Sequence, residues 1–128
     1  MSAVRITGLL FTLLSLGEIA VGIAIFTFPA FGGFLIGASI EGSAVIAVRM
    51  LGAAALAVGL TWWAARNDPE RFARYTAGWL VYNLGVGAMF AWAALATSTP
   101  LVPALVALTH IGAGVALPIA MAMEGKKA

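Results

Sequence analysis

The sequence predicts an all-α integral membrane protein, a four-helix antiparallel transmembrane bundle, and two observations support this fold class. Of its 128 residues, 62% are hydrophobic and only 9% are charged, and the mean hydropathy is +1.04. A soluble domain of this size needs far more polar surface to cover its core. Four apolar segments, each of about 20 residues or more, are long enough to cross a hydrocarbon layer about 30 Å thick. They are residues 6–28, 45–65, 76–96 and 101–123.

The segments form a single domain, residues 1–128, because no connection is long enough to separate two domains. There is no cysteine, which excludes disulfides, thiolate metal sites and thiol redox chemistry. The net charge is +2, but most cations lie near segment ends, where anionic lipid and topology account for them. We therefore expect membrane lipid as a partner and no nucleic acid.

The cations also predict the orientation of the chain. All but one of the seven lysines and arginines flank the same ends of the segments, and the positive-inside rule assigns those ends to the cytoplasm. The two opposite connections contain one charged residue, Glu41. Both termini are therefore predicted to be cytoplasmic. The flanking cations are Arg5, Arg66, Arg71, Arg74, Lys126 and Lys127.

The first segment is followed by an unusual connection, residues 29–43. It is too short to span a membrane, yet its Phe, Leu, Ile and Gly residues are too apolar for a free aqueous loop. We expect it to lie in the membrane interface or to fold back over the bundle, either as a structural segment or as a lid.

Turn signals separate the remaining segments. Asp68 is a natural N-cap and Pro69 a natural first helical residue, so the third helix is predicted to begin at this polar turn. Residues 97–100 form a tight turn before the fourth segment, in which Pro118 is expected to kink the helix or to free a carbonyl group. Near the predicted cytoplasmic interface we expect a belt of aromatic side chains, which comprises Trp62, Trp63 and Tyr75.

A few polar or charged side chains, which cost free energy to place in hydrocarbon, interrupt the apolar segments. Glu18 is the only charged residue of the first segment, and an ionised carboxylate in hydrocarbon needs a partner, a proton or a function. Counting residues along each helix places Arg49, Asn83 and His110 within about two helical turns of its depth. Tyr82 lies beside Asn83. Each of these residues shares a helix face with small residues, which mark close packing between transmembrane helices.

We expect an ion pair between Glu18 and Arg49, because either charge alone in the membrane would cost several kcal/mol. Asn83 and His110, with Tyr82 as a further donor, complete the predicted polar network. The network has three interpretations: a structural link that fixes helix register, a site for a small molecule or lipid, and a proton-coupled site.

The sequence contains few of the residues that catalysis or metal binding requires. The single histidine and Glu18 supply two possible ligands, fewer than the three typical of catalytic zinc. Ser15 and Ser39 have no base placed in sequence context, so no acyl-transfer site is recognised. We therefore expect no metal and no cofactor, and the sequence favours a role other than catalysis.

The two halves of the chain can be aligned with each other. Residues 17–22 (GEIAVG) match residues 82–87 (YNLGVG), and residues 51–54 (LGAA) match residues 111–114 (IGAG). The pattern predicts a parallel repeat of two helical hairpins, with a site at their interface.

One set of residues, spread over most of the chain, resembles a known group of proteins. The set comprises Glu18, Pro29, Arg49-Met50-Leu51-Gly52, Trp63-Ala64-Ala65-Arg66, Tyr82-Asn83 and His110. It is similar to the small four-helix bacterial inner-membrane proteins called DoxX-like, which carry a polar residue in span one and Arg-x-x-Gly at the start of span two. The resemblance implies the four-helix architecture and a multi-pass location in the bacterial cytoplasmic membrane. It implies no catalytic residue.

Together these observations favour a small polytopic membrane protein whose mid-membrane polar pocket binds a small amphipathic or lipid-like ligand. An accessory or structural subunit of a larger membrane complex is the first alternative, since glycine-rich helix faces and minimal loops suit it equally. A proton-coupled transporter is the second alternative, and it requires a homodimer because four helices are few for alternating access.

Overall fold

The computed structural model describes residues 6–125, without the side chains of residues 69–73 and 125. This part of the chain is helical and contains no strand. Arg5, Lys126 and Lys127, which contribute to the predicted orientation, lie outside the described residues, and so does the side chain of Arg71.

Five helices follow one another along the described chain. They are α1 (Ile6–Thr27), α2 (Pro29–Ile36), α3 (Ala44–Ala65), α4 (Pro69–Ala96) and α5 (Leu101–Gly125). All except α2 are long and apolar enough to cross a membrane. The predicted four-helix transmembrane bundle is therefore confirmed, and this is a membrane protein. As predicted, α4 begins at Pro69, while α5 remains helical through Pro118.

The connection after α1 contains the short helix α2, which touches all four long helices. Pro29 begins it, where the missing amide hydrogen costs nothing, and Gly37 ends it in the left-handed conformation with a φ of +70°. A side chain at Gly37 would collide with the Thr97 hydroxyl, which donates a 3.1 Å hydrogen bond to the Gly37 carbonyl. The connection thus folds back over one end of the bundle, here called the α2 end. The opposite end is called the terminal end.

The four long helices form two antiparallel hairpins. Helix α1 packs along α3, and α4 packs along α5, whereas the backbones of the two hairpins approach each other at few points. The interface between the hairpins is called the seam. Large side chains occupy the terminal half of the seam.

Glycines let the two helices of each hairpin approach closely. A methyl group added at Gly22 would lie 2.5 Å from the Leu56 nitrogen, and one added at Gly87 would lie 3.3 Å from the Ile111 nitrogen. The two hairpins therefore pack alike, with Gly22 equivalent to Gly87 as the aligned halves predict. The predicted match of Leu51 to Ile111 is wrong, because Leu56 holds the equivalent position. Short runs of glycine and alanine align in more than one register, so the sequence could not distinguish them.

Aromatic side chains fill the terminal half of the seam. The ring centroids of Phe11 and Trp79 lie 4.8 Å apart, and those of Trp62 and Trp79 lie 4.3 Å apart. Leu117 of α5 completes this buried cluster. The prediction that Trp62 belongs to an interfacial belt is therefore wrong. Its side chain packs in the interior because it lies one helical turn beyond Gly59, on the buried face of α3.

At the terminal end, Thr7 and Glu124 join the start of α1 to the end of α5. The Thr7 backbone nitrogen donates a 3.2 Å hydrogen bond to Glu124 Oε1, and the Thr7 hydroxyl donates a 2.6 Å bond to Oε2. The first amides of a helix have no acceptor within the helix, and a carboxylate is favourable at that end of its dipole.

Candidate functional site

Four polar side chains meet at mid-height in the seam. Glu18 comes from α1, Tyr82 and Asn83 come from α4, and His110 comes from α5. Together they are called the polar cluster. Glu18 and Asn83 are buried, while Tyr82 and His110 are partly buried. The structure thus brings together four of the five side chains that the sequence placed in one polar network.

The packing face of α1 directs Glu18 into the seam. The buried positions of this helix recur every three or four residues, as expected for one helix face. They are Thr7, Phe11, Ser15, Glu18 and Gly22. On α3, Gly59 leaves room for the acid, since a methyl group added there would lie 3.0 Å from Glu18 Cβ. Glu18 therefore avoids the lipid-facing surface, as the cost of a carboxyl group in hydrocarbon requires.

Two contacts cross the seam to the carboxyl group of Glu18. The hydroxyl of Tyr82 donates a 2.7 Å hydrogen bond to Glu18 Oε2. His110 Nε2 lies 3.7 Å from Glu18 Oε1, which is within ion-pair distance but too long for a hydrogen bond. The acid of one hairpin is therefore held by the phenol and the imidazole of the other.

Asn83 orients the imidazole ring. Its Nδ2 donates a 3.0 Å hydrogen bond to the carbonyl of Trp79, one helical turn earlier, and its Oδ1 lies 3.1 Å from His110 Nδ1. An amide oxygen only accepts hydrogen bonds, so Nδ1 carries a proton and donates it to Oδ1. The other ring nitrogen, Nε2, is then the one directed at Glu18.

Trp79 supports Asn83 from the terminal side. Its indole Nε1 donates a 2.9 Å hydrogen bond to the carbonyl of Ala113 on α5. Trp79 precedes Asn83 by four residues and so shares its face of α4, but no role was predicted for it from the sequence. The signal was present, since an indole N–H inside a membrane bundle needs an acceptor.

Arg49 does not belong to the polar cluster. Its side chain is exposed, and among the described residues it forms no ion pair with Glu18. The predicted pair is wrong because of depth: Gly59, which lies against Glu18, is about ten residues further along α3, or about 15 Å. At the α2 end, Val48 rather than Arg49 faces the bundle, where it packs near Gly32 of α2.

The pair formed by Glu18 and His110 remains accessible. The side chains keep 10% and 15% of their surface exposed, respectively. Neither Oε1 of Glu18 nor Nε2 of His110 takes part in a hydrogen bond within the described chain, where every fully buried polar side-chain atom has a partner. Each of the two atoms therefore keeps some exposed surface and can contact a further polar group.

The half of the bundle between the polar cluster and the α2 end buries no large side chain among the described residues. Among the described residues it buries only small side chains and one proline: Gly22, Gly33, Gly52, Ala55, Gly87, Pro103 and Ala107. A cleft of about 350 Å³ opens at the α2 end. It is lined mainly by apolar surface, with Phe34 and Val102 on its walls and the backbone of Gly33 and Gly37 beside them.

The polar cluster offers one carboxyl, one imidazole, one phenol and one amide group. In the part of the chain that the structure describes, no three His, Cys, Asp or Glu side chains lie together in a way that could hold a metal ion. Comparison of the chain with protein-family models, with curated proteins and with solved structures gave no match. The function is therefore inferred from the geometry of the polar cluster and the seam.

Proposed function

We propose that this is a small polytopic protein of the bacterial cytoplasmic membrane whose polar cluster binds a small amphipathic or lipid-like ligand. The polar group of the ligand lies between Glu18 and His110. Its apolar part occupies the half of the seam toward the α2 end.

The accessible pair of Glu18 and His110 carries this proposal. A purely structural link would bring its donor and acceptor to about 2.8–3.0 Å and seal both from contact. Here the two facing atoms are 3.7 Å apart and both side chains remain partly exposed. Placing a carboxyl and an imidazole group in hydrocarbon without a hydrogen bond between them costs free energy, and ionisable residues inside a membrane commonly mark substrate or ion sites.

The contrast between the two halves of the seam supports the position of the apolar part. Toward the terminal end, Phe11, Trp62 and Trp79 fill the interior with stacked rings. Toward the α2 end, the buried residues of the described chain are small apart from Pro103, and its large apolar side chains are partly or fully exposed. Ligand sites are commonly apolar clefts with a few convergent polar groups, and they favour the space between helices of a bundle.

The compartment follows from the resemblance to DoxX-like proteins and from the four apolar helices. The resemblance supports a bacterial cytoplasmic membrane, and the distribution of cations supports cytoplasmic termini. Both remain predictions.

Ligand-dependent thermal stability tests the proposed function. The full chain is purified in mild detergent, and its Tm is measured with and without separated classes of bacterial lipid and of quinone. At least one class should raise the Tm of the wild type and leave that of Glu18→Gln unchanged. Glu41→Gln is the matched control, because Glu41 is an exposed glutamate outside the spans, and it should respond as the wild type does.

A variant that fails to fold would not answer the question, so His110→Gln provides a second test. Glutamine keeps a hydrogen-bonding group opposite Asn83 and removes the imidazole from Glu18. If this variant folds and responds to every ligand class as the wild type does, or if no class stabilises the wild type, the proposed function is wrong.

The two alternatives from the sequence give different results in separate experiments. A constant second protein that remains bound through mild purification, seen by mass spectrometry, would favour an accessory subunit. Proton flux in liposomes that is lost in both Glu18→Gln and His110→Gln would favour a proton-coupled transporter.

A further inference from the structure

The hydrogen bonds of the polar cluster define which of its atoms remain available to a ligand. Asn83 Nδ2 is committed to the Trp79 carbonyl, so Asn83 Oδ1 accepts from His110 Nδ1. The phenol of Tyr82 is committed to Glu18 Oε2. This leaves two atoms, Glu18 Oε1 and His110 Nε2, to contact anything that enters.

These two atoms cannot both be acceptors. A neutral imidazole with its proton on Nδ1 presents a lone pair at Nε2, and an ionised Glu18 presents another at Oε1. Two such atoms 3.7 Å apart repel each other, and the repulsion is strong where the local dielectric is low. One proton held by the pair removes the repulsion.

Among the described residues, no other charge close to the pair replaces that proton. From α4 the pair is faced by Tyr82 and Asn83, and from α3 by Gly59. Among the described cations, Arg66 at the end of α3 is about 10 Å from Gly59 by helical rise, and Arg49 is about 15 Å away. The guanidinium group of Arg66 is engaged elsewhere, since it stacks on the Trp63 ring and donates a hydrogen bond to the Trp63 carbonyl. With one shared proton, the carboxyl and imidazole together are neutral, which avoids an uncompensated charge in hydrocarbon.

A pair in this state presents one donor and one acceptor, side by side. We propose that the ligand carries a neutral hydroxyl group, which accepts a hydrogen bond from one member of the pair and donates one to the other. This inference rests on the proposed function, because it names the chemical class of the ligand at the same site.

Other headgroups fit the pair less well. An ether oxygen accepts but has no proton to donate, so it leaves one buried group unsatisfied. A carboxylate or an ammonium group brings a charge to a neutral site in hydrocarbon. Only a group that is both donor and acceptor, without charge, satisfies both atoms.

The chain offers a direct reporter, because His110 is its only histidine. The full chain, labelled with ¹⁵N-histidine, is reconstituted in lipid nanodiscs, and its ring nitrogens are followed by NMR. The probes are dodecanol, dodecyl methyl ether, dodecanoate and dodecylamine, which share one alkyl chain and differ in the headgroup. Dodecanol should shift the Nε2 resonance at concentrations about tenfold lower than the ether, the factor expected for one lost hydrogen bond.

Two controls separate the site from general effects on the bilayer. Glu41→Gln should keep the preference for dodecanol, and Glu18→Gln should lose it. Without any probe, Nδ1 should already carry a proton in the wild type.

Each other result has a definite meaning. If dodecanoate or dodecylamine is preferred, the hydroxyl inference is wrong while ligand binding at the cluster stands. A protonated Nε2 with a lone pair at Nδ1 would also overturn it, since the roles of the ring nitrogens would be reversed. If no probe shifts His110, and no lipid or quinone class stabilises the wild type, both the inference and the proposed function are wrong.

Discussion

The phenol of Tyr82 and the carboxyl group of Glu18 form a 2.7 Å hydrogen bond across the seam between the two hairpins. Backbone contacts between the hairpins are few, so side chains carry much of the connection, and this bond does so at mid-height. This bond also fixes which carboxyl oxygen remains available, because Oε2 is occupied and Oε1 faces His110. A single hydroxyl group therefore contributes both to assembly of the bundle and to the geometry of the candidate site.

Replacing Tyr82 by phenylalanine should lower the free energy of unfolding by about 1 kcal/mol, the usual net contribution of a buried hydrogen bond. In membrane proteins this contribution lies at the lower end of its range. The measurement is unfolding of detergent-solubilised protein by a denaturing detergent, followed by tryptophan fluorescence. Tyr75→Phe is the matched control, because Tyr75 is exposed and lies outside the seam. Equal losses in the two variants would contradict the role assigned to the Tyr82 hydroxyl.

Replacing Arg49 by glutamine should change the free energy of unfolding by less than about 0.5 kcal/mol, as is usual for exposed positions. The reason is that Arg49 is exposed and separated from Glu18 by about 15 Å along the bundle. The same unfolding assay measures the effect, with Glu18→Gln as the comparison. A loss in Arg49→Gln as large as that in Glu18→Gln would show that the two residues are paired after all.

The architecture could be predicted from the sequence because it depends on local properties, the hydropathy of each segment and the residues at its turns. Long apolar segments give the spans, and the turn at Pro69 gives the start of α4. The polar cluster could also be predicted in outline, since Glu18 and His110 are costly in lipid and must lie inside the bundle.

The partners inside the seam could not be predicted, because they depend on how two helices slide along each other. The sequence placed Arg49 opposite Glu18 by counting from segment ends. In the structure Gly59 lies there, and the difference is about three helical turns. Glycine contacts set this register, and glycine and alanine together are too frequent in α3 and α5 to indicate which contacts are made. The same ambiguity explains the incorrect match between the second helices of the hairpins.

Replacing Gly22 by alanine should destabilise the protein by about 1–3 kcal/mol, the range for overpacking a tightly packed interior. The added methyl group would meet the backbone of α3, with the Leu56 nitrogen at 2.5 Å, and a backbone cannot rotate out of the way as a side chain can. Gly17→Ala is the matched control on the same helix, because a methyl group there has no neighbour within 4 Å in the described structure. Unfolding midpoints of the two variants give the comparison, and a loss confined to Gly17→Ala would contradict the packing of α1 on α3.

The orientation of the bundle can be tested cleanly because the chain has no cysteine. Ser39→Cys and Ser98→Cys place single thiols at exposed positions in the two connections at the α2 end, and Asn67→Cys places one at the opposite end. The excess of positive charge near Asn67 predicts that this end faces the cytoplasm. In intact bacterial cells, a membrane-impermeant maleimide should therefore label the first two variants and not the third. After permeabilisation, Asn67→Cys should be labelled as well, which controls for its reactivity. Labelling of Asn67→Cys alone in intact cells would place the α2 end in the cytoplasm and would overturn the predicted orientation.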